Sequence, residues 1–225
     1  MAKVLNMLTL AGSLLALAAC SSNSIDTSCA PAGAVTPICD IQMPEDLAAL
    51  PNEGGLLIAE YGDMGHIPGF LSWYQPGPDA RHVRLADTAS IDIGAGREPW
   101  GDPACAVPDK LSPHGIHLSQ RDGSLQLLVV NHSSREHVLF YEVDLAPDGV
   151  QPPTLAWRGC VEFPEDAVLN DVAALPGGGF AVTHMYQREG ELAAQFKSFL
   201  GINKGHVWRW DPVFNSYGGC AHVFD

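Results

Sequence analysis

Polar side chains able to hold a cation or move a proton recur at the head of a repeated phrase. Glu45-Asp46-Leu47-Ala48-Ala49-Leu50-Pro51-Asn52 and Asn170-Asp171-Val172-Ala173-Ala174-Leu175-Pro176-Gly177 share an apolar body behind different heads. A looser copy, Pro113-His114-Gly115-Ile116-His117-Leu118, stands between them. A body that is kept while its head varies points to one supersecondary unit used several times, with the heads Glu45, His114 and Asn170 brought to a common centre. Carboxylate and amide oxygens from separate units suit calcium, which takes about six to eight oxygens in a flexible shell. A neutral imidazole beside such an ion can take a proton from an attacking water. Together these groups fit the hydrolysis of a bound carbonyl compound.

The elements that must position these heads read as short strands flanked by turn residues. Leu56–Ala59, Gly69–Tyr74 and His82–Leu85 follow the first head, and Leu125–Val130, Val138–Val143 and Leu155–Val161 the second. Phe180–Thr183, His206–Trp210 and Cys220–Val223 follow the third. A head with its inner strand and about three more is the four-stranded blade of a β-propeller, so the expected fold is all-β with about three blades present. Residues 87–111 read as an irregular insertion rich in Pro, Asp and Gly. Glu189 to Leu200 reads as a helix with Leu192, Phe196, Phe199 and Leu200 on one face, either a packing stripe or a lid near the pocket. Gly177-Gly178-Gly179 reads as a turn. A fourth head is expected at roughly residue 227 or beyond, which makes residues 45–225 the N-terminal half of a longer propeller domain.

Bulk composition narrows the function classes. The chain has 225 residues, 17% of them charged, with 23 Gly and 17 Pro, as a compact, turn-rich domain does. A formal net charge of −14 argues against nucleic acid as a partner, since phosphate binding needs basic patches. No GxSxG elbow supplies a serine nucleophile.

The N-terminus carries an address. Lys3 precedes an apolar run from Val4 to Ala19, too short for a comfortable membrane span, and the run ends in Leu17-Ala18-Ala19-Cys20. This stretch resembles the lipobox of bacterial lipoproteins. The resemblance implies that residues 1–19 are a signal peptide, that Cys20 is lipidated and anchors the protein to a membrane, and that residues 20–44 form a tether. Ser21 after the cysteine implies an outer-membrane or periplasmic location in the cell envelope. Beyond Cys20 lie Cys29, Cys39, Cys105, Cys160 and Cys220, an odd number in a compartment that permits disulfides, with their pairing left open.

Ser112-Pro113-His114-Gly115-Ile116, then Leu127-Leu128-Val129-Val130-Asn131-His132, then Leu169-Asn170-Asp171-Val172 resemble the paraoxonase/arylesterase family. Glu45-Asp46-Leu47 and Phe199-Leu200-Gly201-Ile202 before Val207-Trp208-Arg209-Trp210 are similar to it too, so the resemblance covers roughly residues 40–225. It implies a six-bladed propeller with two calcium ions that hydrolyses aryl esters, lactones and, in some members, phosphotriesters. Glu45 and Asn170 would be ligands of a catalytic calcium. Asp46, Asp171 and the backbone carbonyl of Ile116 would be ligands of a structural one. His114 and His132 would be the proton-transfer pair, and a small ester or lactone the partner molecule. Two alternatives remain: a sugar lactonase of the gluconolactonase kind, and a non-catalytic envelope propeller that binds a ligand or partner.

Overall fold

A computed structural model describes residues 29–62, 67–88, 97–147, 149, 151–186, 188, 196–197, 199–200, 205–212 and 222–223. Cys20, Leu192 and Cys220 lie outside the described residues. The chain divides into two compact units, residues 1–40 and 41–225. In the first, Cys29 and Cys39 form a disulfide around an antiparallel bridge between Ala32 and Val35.

The second unit is all-β. Its strands are β1 (Pro44–Ala49), β2 (Leu56–Glu60), β3 (Phe70–Gln75), β4 (Arg81–Ala86), β5 (Pro113–Arg121), β6 (Ser124–His132), β7 (Glu136–Asp144), β8 (Thr154–Glu162), β9 (Leu169–Ala174), β10 (Phe180–His184), β11 (His206–Trp210) and β12 (His222–Val223). They form three antiparallel sheets in simple chain order, β1 to β4, β5 to β8 and β9 to β12, the last ending in a two-residue strand. The three sheets do not close into a ring among the described residues.

Side-chain alternation explains how the sheets stack. On β6, Leu127 and Val129 join a core with Leu57, Leu71 and Trp73 of the first sheet. Their neighbours Leu128 and Val130 join a second core with Leu169, Val172, Phe180 and Trp210 of the third. The continuous run Leu127-Leu128-Val129-Val130 is therefore buried on both faces, as a middle sheet requires. Aromatic rings fill the second core, with Phe180 stacked on Trp210 at 5.5 Å and Phe140 tilted against Phe180 at 5.9 Å. The first strands run side by side, β1 against β5 and β5 against β9. All three heads therefore share one edge of the assembly.

The expected insertion has a definite job where it is described. Trp100 N–H donates to the Arg158 carbonyl at 2.6 Å and Asp102 N–H to the Cys160 carbonyl at 2.8 Å, so the segment lies along the open edge of β8 and covers it. A disulfide between Cys105 and Cys160, with Cα atoms 5.6 Å apart, fastens it there. The bridge closes a loop of 55 residues, which by loop entropy stabilises the fold by about 4 kcal/mol. Cys160→Ala should lower the unfolding free energy in urea by about that much; a loss under about 1 kcal/mol would show the edge is held by its hydrogen bonds alone.

The turn expected at Gly177-Gly178-Gly179 is present, and one expectation changes. The Gly-rich connection after β9 is a 3-10 turn at Pro176–Gly178, with Gly177 and Gly178 at φ 80° and 84°. The stripe expected to pack from a helix over Glu189 to Leu200 does not pack where it is described. Phe196, Phe199 and Leu200 are 65%, 85% and 52% exposed, and the Leu200 N–H donates to the Phe196 carbonyl at 3.1 Å.

Candidate functional site

The heads meet at Gly115. A Cβ on this residue would lie 2.5 Å from the Asn170 carbonyl oxygen, 2.6 Å from Asp171 Cα and 2.7 Å from Asp171 Oδ1. Only a residue without a side chain lets β9 come so near β5. From the other flank, Asp46 Oδ2 accepts the Ile116 N–H at 2.8 Å. Asp46 and Asp171 thus reach the same two-residue segment from neighbouring strands. Each also accepts the amide of the residue after it, Leu47 at 2.7 Å and Val172 at 2.8 Å, the local bond a turn carboxylate makes. Asp46 is half-buried and Asp171 exposed.

His114 is held from two sides. Its Nδ1 lies 2.9 Å from the Asn170 carbonyl oxygen. A carbonyl only accepts, so Nδ1 carries the proton and a neutral ring presents its lone pair at Nε2. That nitrogen faces Glu45 Oε2 at 3.4 Å. Two acceptors so placed are satisfied by a proton or a cation shared between them. His132 lies edge-on to His114 with ring centroids 5.0 Å apart, and Tyr61 is edge-on to both at 5.6 and 5.5 Å.

These groups line a cavity of about 510 Å³ whose remaining wall includes Val168, Met185 and Tyr186. The cavity therefore joins a side bearing carboxylates, imidazoles and the cations Lys110 and Arg188 to an apolar one that includes Val168 and Met185.

Several participants were not among the residues expected from sequence. Glu136 is 1% exposed; its Oε2 lies 2.7 Å from His132 Nδ1 and accepts the Leu169 N–H at 3.1 Å, and its Oε1 pairs with Arg188. A lone acid opening the otherwise apolar run Glu136-His137-Val138-Leu139-Phe140-Tyr141 was the available signal. Asn131 is fully buried, its amide joining the Lys110 carbonyl to the Ser112 N–H, so it fixes the approach to β5. A separate Ser72–His82–Glu60 cluster is structural. Ser72 is 0% exposed, and Glu60 Oε1 takes both Ser72 Oγ at 2.5 Å and His82 Nε2 at 2.7 Å while Oε2 accepts the Gln42 N–H. A nucleophile must be reachable, and Ser72 is not.

The types of donor, not a converged cluster, are what would suit calcium. Among the described residues no group of three or more His, Cys, Asp or Glu could hold a metal ion. The available groups are instead hard oxygens on separate strands, carboxylate and amide, which is calcium's chemistry and not zinc's.

Beside the cavity wall, His184 is stacked on His206 with centroids 4.3 Å apart. Burial, and then the neighbouring His206, push its pKa below the ordinary value, against the pull of Asp166 and Glu136. The native ring thus binds its proton later than the unfolded chain does as pH falls. Stability present above about pH 6.5 is lost as pH drops through the unfolded value toward the folded one. Thermal midpoints should fall across that window, and His184→Phe should flatten the slope; an unchanged slope would assign it elsewhere.

No protein-family model and no curated protein matches the chain.

Proposed function

We propose that this protein is a calcium-dependent hydrolase of carboxylic esters and lactones, of the paraoxonase-like kind, in which the three antiparallel sheets would serve as blades of a six-bladed propeller. The observation that carries the reading is the clamping of His114 between the Asn170 carbonyl and the Glu45 carboxylate, with His132 beside it, at the edge shared by three sheets. Glu45 and Asn170 would hold the catalytic ion, while Asp46, Asp171 and the Ile116 carbonyl would hold the second. A calcium ion in the first position supplies electrophilic polarisation of the carbonyl and charge stabilisation at its oxygen. His114 takes a proton from the attacking water as the new C–O bond forms, and His132 shares the charge. The bond to the alkoxy or aryloxy group then breaks, and the proton passes to that leaving oxygen. The products are a carboxylic acid and an alcohol or, from an aryl ester, a phenol; acid and alcohol stay joined in one molecule when the substrate is a lactone.

The lipobox-like Leu17-Ala18-Ala19-Cys20 supports a lipid-anchored place in the bacterial envelope, and two disulfides are at home in such an oxidising compartment. The test is hydrolysis of phenyl acetate and a simple lactone by purified protein. Chelator should abolish it and added calcium restore it. Hydrolysis indifferent to chelator would end the calcium mechanism; calcium binding without hydrolysis would favour a non-catalytic propeller.

A further inference from the structure

We propose that Glu136 is the positioning residue of this site: it fixes His132 in one tautomer, with the proton on Nδ1 and the lone pair on Nε2. The inference rests on the hydrolase reading for its kinetic consequence, but not for its structural content.

Both oxygens of Glu136 already receive donors. Arg188 approaches Oε1, and the Leu169 N–H donates to Oε2 at 3.1 Å. His132 Nδ1 lies 2.7 Å from that same Oε2. A carboxylate is an acceptor on both sides, so the imidazole must donate from Nδ1. A neutral ring then has only Nε2 left to accept a proton. The same logic orients a metal-bound or catalytic histidine through the hydrogen bond on its far nitrogen.

The carboxylate is itself held. It is 1% exposed, it opens β7 directly across the register from His132, and Arg188 meets it from the segment after β10. Leu169, whose amide it accepts, immediately precedes Asn170, whose carbonyl fixes His114. One buried anion therefore ties the placement of His132 to the strand that places His114. Neither imidazole is free to choose its tautomer: a backbone carbonyl sets the first and Glu136 the second. Glutamine cannot replace this group cleanly. Its NH₂ would confront either Arg188 or the His132 and Leu169 donors.

Ring nitrogen chemical shifts of ¹⁵N-histidine-labelled protein at mildly alkaline pH read the tautomer without any substrate. The wild type should show His132 protonated at Nδ1. Glu136→Gln should shift it to a mixture or to the Nε2-protonated form, and Glu136→Asp should restore it. With an ester substrate, Glu136→Gln should lower kcat about 100-fold with KM little changed, and Glu136→Asp should recover much of the loss. A wild-type His132 protonated at Nε2 would overturn the inference even if the variant failed to fold. So would a Glu136→Gln protein with unaltered shifts and kcat. The expected tautomer in a protein that hydrolyses nothing would instead refute the hydrolase reading and leave the placement standing.

Discussion

If His114 is the general base proposed above, His114→Gln should lower turnover of an aryl ester or lactone by about 10²- to 10⁴-fold, the usual worth of a positioned general base, with KM little moved. Glutamine can still donate to the Asn170 carbonyl, so the strand contact at 2.9 Å survives. What disappears is the imidazole lone pair at Nε2, 3.4 Å from Glu45. An amide nitrogen has no basic lone pair to take a proton from water. Steady-state kinetics beside a melting curve separates the two effects. Turnover at the wild-type level in a folded variant would remove His114 from the mechanism.

Gly115→Ala should be the most damaging change of a single methyl group. Its Cβ would sit 2.5 Å from the Asn170 carbonyl oxygen and 2.6 Å from Asp171 Cα, both backbone atoms that no rotamer change can move aside. β9 must retreat from β5, which separates Asn170 from His114 and Asp171 from the Gly115–Ile116 segment. Overpacking a tight contact costs about 1–3 kcal/mol, and the upper end applies where backbone must shift. A urea midpoint should fall accordingly, and ester hydrolysis should fall with it through the displaced Asn170. Wild-type stability and activity together would mean that the two strands do not meet as closely as Gly115 requires.

Strand identity was legible because burial writes a pattern into the sequence. His206–Trp210 forms β11 over the same residues that alternation indicated, and the run Leu127 to Val130 marked a buried strand. The heads were legible as a repeat but placed slightly wrong: Glu45, His114 and Asn170 are each the second residue of a first strand, inside it and not before it. The Glu136–His132 contact was harder to see. It crosses a hairpin turn, and Arg188 joins from a loop, so no periodicity links the three. The covering of β8 by Trp100 and Asp102 uses backbone bonds that place no demand on side-chain type. The Cys105–Cys160 pairing was open for a related reason: parity counts thiols but carries no distance.

The central proposal is that oxygens on adjoining first strands hold calcium, Glu45 and Asn170 one ion and Asp46, Asp171 and the Ile116 carbonyl a second. Calcium binding by the purified protein, followed by calorimetry in the wild type and in the Glu45→Gln and Asp171→Asn variants, tests it most directly. The account predicts saturable binding that each substitution weakens at least about tenfold, equivalent to losing about 1.4 kcal/mol of binding free energy. Calcium bound equally well by all three proteins, or by none, would contradict it.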